Sequence, residues 1–401
     1  MKINEINLRG ILDSRDEESL EVELVTSAGT HSAQVPQGKS RGSGEALVLT
    51  FVEAEAKLAT CREALLRDWQ KLEDLEAVVG ASNLGLAIGM AGARALATEV
   101  ELSLSAYLRK TFFPDVVARL LARRSLSEGG PMIFANVING GEHSTNNLDI
   151  QEFMFVLDPN VAGEGTMQTC VTNMGHLYKR LGEVLTADFS INPLPLGNEG
   201  GYDINFNDQW QPLVYLNKVA KELGTGMLGE SLRLAMDCAA NSYYENGTYN
   251  LGGTNYSPAE LLEEYVRVSE ANPNIFSIED PFQEHDSESF EAMRKRLPNI
   301  WIVGDDLTVT NAERITKFAS SGAINAVIIK PTQAGSVTGA CKAILAAQTS
   351  GIKTIISHRS AEVADNFIID LAHASGADAV KIGAPIHERV EKYNRLLWLY
   401  K

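Results

Sequence analysis

Long apolar runs, clustered cysteines and an excess of positive charge are all missing from this chain, and each absence removes a class of function. The longest membrane-like stretch, Leu84–Ala97, is interrupted by Arg94 and falls short of the roughly 20 apolar residues a spanning helix needs. Its glycines at 85, 89 and 92 fit a closely packed soluble helix instead. The start, Met1-Lys2-Ile3-Asn4 and soon Arg9 and Asp13, has no uninterrupted apolar core for an export signal, so the expected location is cytoplasmic. Cys61, Cys170, Cys238 and Cys341 lie far apart, with neither zinc-site spacing nor disulfide density, and read as reduced thiols. With 35 Lys and Arg against 52 Asp and Glu the net charge is −17, which offers no basic face to nucleic acid. Neither nucleic acid nor membrane is expected as a partner, and an anionic substrate must be met by local positive charge or a metal.

What is present is a chain of 401 residues, 44% hydrophobic, longer than one core usually organises. The first 50 residues read as β structure: apolar runs at Ile3–Leu12 and Leu20–Thr26, a turn at Ala28-Gly29, then His31–Val35. From Glu45 to about Leu108 the pattern is helical, broken by Gly80-Ala81-Ser82-Asn83. The run SLSEGGP at Ser125–Pro131 reads as a linker, so domains are predicted over 1–125 and 126–401.

In the second domain short β-rich runs alternate with helix signals. The runs are Leu232–Met236, Ile275–Ile278, Ile300–Val303, Ala326–Ile329, Thr354–Ile356 and Ala379–Val380. Near their C-terminal ends stand Asp237, Glu279, Asp305, Lys330, His358 and Lys381. After the first interval the repeat is roughly 25 residues, room for one βα unit. Ser257-Pro258-Ala259-Glu260 and Thr310-Asn311-Ala312-Glu313 read as capping boxes, Gly351 and Gly376 as helix stops. Strand ends of a barrel converge on one mouth, so these six side chains are predicted to share a cavity.

Three carboxylates, Asp237, Glu279 and Asp305, repel one another unless a cation or protons intervene, and a hard ion such as Mg²⁺ suits an all-oxygen set. Separate surface ion pairs are the alternative. Lys330 and Lys381 could serve as a base and a charge partner, or as structural salt bridges. Ser357-His358-Arg359-Ser360 follows a β run and opens a helix-like segment, offering a guanidinium, hydroxyls and backbone N–H groups to a phosphate. A capped helix with an exposed arginine would look the same. Asn139-Gly140-Gly141-Glu142-His143, leading to Gln151-Glu152, and Gly197-Asn198-Glu199-Gly200-Gly201 are glycine-pair loops carrying acids. Each alone reads as a turn.

In this order the strings resemble the enolase family over almost the whole chain. The matches are ILDSR at 11–15, Pro36 to Ala46 in part, NGGEH at 139–143, QEFM at 151–154, NEGG at 198–201, SIEDP at 277–281, VGDDLTVTN at 303–311, IIK with Gln333 and Gly335, SHRS at 357–360, KIGAP at 381–385 and ERVEKYNRLL at 388–397. The resemblance implies an α/β fold, a modified (β/α)8 barrel that begins with antiparallel strands beneath an N-terminal α+β capping domain, and a homodimer. It implies a glycolytic hydro-lyase that dehydrates 2-phosphoglycerate to phosphoenolpyruvate with two Mg²⁺ per site, the second arriving with substrate. By position Asp237, Glu279 and Asp305 match the ligands of the first ion, and Ser40 the loop serine of the second. Lys330 matches the base, Glu199 the acid that assists hydroxyl departure, with Glu152 beside it. Lys381 matches a stabiliser of the developing charge. Arg359 and Ser360 match phosphate contacts, and His143, Gln151 and His358 the substrate pocket.

The chain also departs from the family's pattern. The first mobile loop, usually Pro-Ser-Gly-Ala-Ser-Thr-Gly, is Pro36-Gln37-Gly38-Lys39-Ser40-Arg41-Gly42, which adds Lys39 and Arg41 as candidate substrate contacts. Asn198 replaces the usual Asp, Pro331-Thr332 the usual Val-Asn, and Ala361-Glu362-Val363-Ala364-Asp365 the usual Gly-Glu-Thr-Glu-Asp. Two further readings follow: the same elimination on a more anionic phosphorylated or phosphonylated acid, and a non-catalytic binding or structural role.

Overall fold

The computed structural model describes residues 1–36, 42–115, 130–161, 166–223 and 232–400. The expected linker and domain boundary, and Lys39, Ser40 and Arg41, lie outside the described residues or, for Gly130-Pro131, at their edge.

The N-terminal meander is antiparallel: β1 (Ile3–Leu12), β2 (Glu18–Thr26) and β3 (Gly29–Val35). Alternation buries one face, with Leu20, Val22, Leu24, Ala33 and Val35 inward. Four helices follow, α1 (Phe51–Leu65), α2 (Leu72–Val79), α3 (Asn83–Glu99) and α4 (Leu104–Phe112). The predicted helical stretch thus starts later than Glu45. Thr50 and Glu53 form a reciprocal capping box, which fixes the first turn. The small residues of α3 are buried almost throughout, the packing expected of the Leu84–Ala97 run.

The second part is a closed eight-stranded barrel. Its strands are β4 (Met132–Asn139), β5 (Glu152–Leu157), β6 (Leu232–Asp237), β10 (Ile275–Glu279), β11 (Trp301–Gly304), β12 (Ala326–Ile329), β13 (Lys353–Ser357) and β14 (Ala379–Lys381). Between β6 and β10 lies a small antiparallel sheet of β7 (Tyr244–Glu245), β8 (Thr248–Leu251) and β9 (Thr254–Tyr256). In the barrel β5 runs antiparallel to both its neighbours, while β6, β10 to β14 and β4 are parallel in turn. Strands β4 and β5 escaped pattern reading because every residue of each is buried, which leaves no polar alternation.

Two charged contacts, one buried and one half-buried, hold the N-terminal part on the barrel. The Glu76 carboxylate accepts from Val337 N at 2.6 Å and Thr338 N at 3.1 Å, capping the helix Val337–Thr349 from outside its own chain segment. Arg94 on α3 donates to both oxygens of Asp365, at 2.7 and 2.9 Å. Gln34 N also donates to Asp365, at 3.1 Å.

Two local expectations are corrected. Ser257 caps its helix with Glu260 as predicted, but at the second site Asn311 is the cap and the helix begins at Ala312. Thr310 is turned inward with a positive φ, its hydroxyl bonded to Gln333 and to Lys330 N. Likewise SHRS does not open a helix, since Phe367–Ser375 begins only beyond it. The intervening residues are committed elsewhere: Ser14 N donates to Glu362 O at 2.9 Å, Glu362 N to Ser14 Oγ at 3.0 Å, and Asp365 holds Arg94. The helix N-terminus expected for a phosphate is therefore not at SHRS.

Candidate active site

Asp237, Glu279 and Lys381 are the last residues of β6, β10 and β14, and Asp305, Lys330 and His358 directly follow β11, β12 and β13. Parallel strands bring all six to one end of the barrel. Glu152 reaches the same end by the opposite route: as the first residue of the reversed β5 it pairs with Asn139 and Asp237.

The two lysines divide the carboxylates between them. Lys381 Nζ lies 3.0 Å from Glu152 Oε2, 2.9 Å from Asp237 Oδ2 and 2.8 Å from Glu279 Oε2, and all four side chains are buried. Lys330 Nζ donates instead to Asp305 Oδ2. Burial opposes the charge of each lysine, but the adjacent carboxylates outweigh it and hold both well above the usual lysine range. Gln333 Nε2 donates to Asp305 Oδ1 at 3.0 Å.

Glu152 also belongs to a second cluster, in which His143, Glu152 and Glu199 place ligand atoms within 4.8 Å of one another. His143 Nδ1 is 3.6 Å from an oxygen of each glutamate, and Asn136 Nδ2 donates to Glu199 Oε2 at 3.1 Å. Burial and the charge of Glu199 push Glu152 well above the usual carboxylate range. His358 stands with Nε2 3.5 Å from Glu199 Oε2, while Arg389 Nε donates to its Nδ1 at 3.3 Å. A guanidinium can only donate, so the proton of His358 sits on Nε2, toward the glutamate. Burial lowers His143 to about 4 and His358 to about 3, so both are neutral at pH 7.

The glycine-pair loops make this packing possible. A Cβ on Gly140 would meet Ile150 O at 2.2 Å, and one on Gly201 would meet Asn139 Oδ1 at 2.4 Å. Contacts this close, to backbone at Gly140 and to the Asn139 side chain at Gly201, leave no room for a Cβ. Asn198 N donates to His143 O at 3.1 Å, tying one loop to the other.

His143, Gln151, Glu152, Glu199, Lys330, Ser357, His358, Arg359, Ser360 and Lys381 line one pocket. Arg359 Nη1 donates to Glu45 Oε2 at 3.0 Å and to Thr332 Oγ1 at 3.3 Å. Sequence reading did not single out Glu45, Asn136 or Arg389. Asn136 is inside an unalternating strand and Glu45 is a lone acid after a glycine-rich stretch, so neither gives a signal of its own.

Among the described residues, groups of three whose ligand atoms lie within 4.8 Å of one another are His143/Glu152/Glu199 and Asp280/Asp305/Asp306. The strand-end trio Asp237, Glu279 and Asp305 is more open than either, with an ammonium against each carboxylate. It still fits a hard cation: the donors are all oxygens, and Glu279 Oε1 is buried with no hydrogen-bond partner.

Barrel and mouth together define an α/β barrel whose strand ends gather acids, lysines, histidines and an arginine around one pocket. Residues 129–400 match the family model described as Enolase, C-terminal TIM barrel domain. The chain is 36% identical to the enolase of Methanosarcina mazei, over 99% of this chain and 94% of that protein. It is 36% identical to the enolase of Pyrococcus furiosus (97% and 92%) and 35% identical to that of Methanopyrus kandleri (99% and 95%). The chain belongs to the enolase family, and with it to the lyases. No helix among the described residues is long and apolar enough to cross a membrane.

Proposed function

We propose that this enzyme dehydrates 2-phosphoglycerate to phosphoenolpyruvate in a Mg²⁺-dependent reaction. The observation that carries the reading is the placement of Lys330 and the Glu152/Glu199 pair around one pocket, since eliminating water across two carbons is helped by a proton acceptor at one carbon and a proton donor at the hydroxyl leaving the other.

Lys330 would take the proton from the carbon beside the substrate carboxylate. Glu152, kept protonated by burial and by the charge of Glu199, would supply the proton to the departing hydroxyl, which leaves as water, and Glu199, held ionised against burial by the neighbouring histidines, would assist by orienting that hydroxyl. His143 and His358, both neutral, would donate or accept hydrogen bonds to the substrate without adding charge. Arg359 and Ser360 would hold the phosphate, the guanidinium by paired hydrogen bonds. Asp237, Glu279 and Asp305 would hold Mg²⁺, and Ser40 a second ion. Bound there, Mg²⁺ would offset the carboxylate charges that now hold the lysine protons and would stabilise negative charge growing on the substrate carboxylate.

The test is turnover of 2-phosphoglycerate by purified protein, followed through the ultraviolet absorbance of the enol product. Lys330→Ala prepared in parallel controls for host enolase, and an essential base should cost at least about 10²-fold in kcat. Turnover that survives the substitution, and is absent from a mock preparation of the same host without this protein, sinks the assignment of Lys330. If wild-type protein binds Mg²⁺ but leaves 2-phosphoglycerate intact, the more anionic acid suggested by Lys39 and Arg41 becomes the substrate to try.

A further inference from the structure

The Glu45 side chain is 6% exposed and is paired with Arg359, which lines the pocket. Its two oxygens face in different directions. Oε2 accepts from Arg359 Nη1 at 3.0 Å, while Oε1 accepts from Gly42 N at 3.2 Å and Gln333 Nε2 at 3.3 Å. The other hydrogen of Gln333 Nε2 goes to Asp305 Oδ1 at 3.0 Å, and Asp305 in turn holds Lys330. Gln333 Oε1 is itself fixed by the Thr310 hydroxyl at 2.6 Å, which accepts from Lys330 N at 2.9 Å. A continuous set of hydrogen bonds therefore runs from Arg359 through Glu45 and Gln333 to Asp305 and Lys330.

A carboxylate beside a phosphate-binding arginine is a liability by Coulomb's law, because it repels the same anion the arginine attracts. Its presence needs a compensating benefit. Arg359 carries a long side chain with rotamer entropy to lose on binding, and Glu45 fixes one of its nitrogens in advance.

We propose that Glu45 is a positioning residue, which orients Arg359 for the substrate phosphate and Gln333 for the Asp305–Lys330 side of the site. One carboxylate thereby sets the spacing between the anion contact and the deprotonating lysine, a spacing on which reaction geometry depends. The inference rests on the substrate reading above.

Two substitutions separate the two halves of this role. Glu45→Gln can still accept from Gly42 and Gln333 but turns an amide N–H toward Arg359. Gln333→Met cuts the other half. In the full-length protein, Glu45→Gln should raise both KM for 2-phosphoglycerate and the dissociation constant for inorganic phosphate at least about tenfold, with kcat within about threefold. Gln333→Met should do the reverse, lowering kcat while phosphate affinity holds. Glu45→Asp, which keeps the charge, should fall between wild type and Glu45→Gln, and carries the test if the amide variant does not fold.

Phosphate affinity and KM within about twofold of wild type in Glu45→Gln overturn the proposal, as do parallel losses in both variants. Phosphate binding that depends on Glu45, without turnover of 2-phosphoglycerate, supports Glu45 and sinks the substrate. Turnover with a KM indifferent to Glu45 does the opposite. A wild-type protein that neither binds phosphate nor turns over overturns both.

Discussion

The Lys381 ammonium lies 2.8 Å from Glu279 Oε2, and both side chains are almost entirely buried. The same ammonium serves Asp237 and Glu152. It is the countercharge for acids that would otherwise be crowded together in a low dielectric.

Removing that countercharge should therefore destabilise the ion-free protein. Lys381→Met is expected to cost roughly 3–5 kcal/mol in the presence of a chelator. Because the folded-state pKa of Lys381 is raised, its contribution is fully present at neutral pH and is lost only as pH rises through that elevated value. Mg²⁺ should restore part of the loss by taking over the carboxylates. Thermal melting with and without Mg²⁺ measures this, and an equal deficit in both conditions would contradict it.

His358 makes a prediction on the acid side. Burial lowers it from 6.5 to about 3, so between those values the unfolded chain binds the proton and the native state does not. Stability should fall with decreasing pH across this window, by up to about 1.4 kcal/mol per pH unit from this group. Denaturant unfolding at pH 7 and near pH 4.5 should show a smaller acid loss in His358→Gln than in wild type. Identical losses would mean that the imidazole is already protonated in the native site.

The Arg94–Asp365 pair joins the N-terminal part to the segment after SHRS. Burial pushes Asp365 up, but Arg94 overcomes it and holds the carboxyl below its ordinary value. Asp365→Asn is expected to cost roughly 1.5–3 kcal/mol at neutral pH. The contribution is present above about pH 3.8, the unfolded value, and disappears as pH falls through the native one. A deficit that stays constant down to pH 2 would assign the effect to packing instead.

Much of the barrel was legible because each βα unit places a charged or polar residue at a strand end. The predicted run Ala326–Ile329 and the strand coincide, and the other five runs differ from their strands by a residue or so at either end. Strand β5 was invisible for the reason that makes it useful: it is wholly buried, so its residues carry no alternation. Recognition of QEFM as a family string placed Glu152 where periodicity could not. The positions of Thr310 and Glu45 were not legible at all, since their roles depend on partners far away in sequence, Gln333 and Arg359. Short-range rules gave Thr310 to a helix cap, and the tertiary partners took it back. The division of the acids between Lys330 and Lys381 is likewise a three-dimensional fact, because nothing in the spacing of Asp237, Glu279 and Asp305 says which ammonium each will meet.

The reversal of β5 changes which loop can supply chemistry. In a uniformly parallel barrel, the segment leading into a strand approaches from the far end and contributes nothing to the mouth. Here the segment leading into β5 is the one that crosses the mouth, so a single short connection from Asn139 to Glu152 delivers His143 and Gln151 as well as the acid itself. Length changes in that connection would remodel the pocket, whereas Leu157, at the other end of β5, lies a full strand away from the mouth.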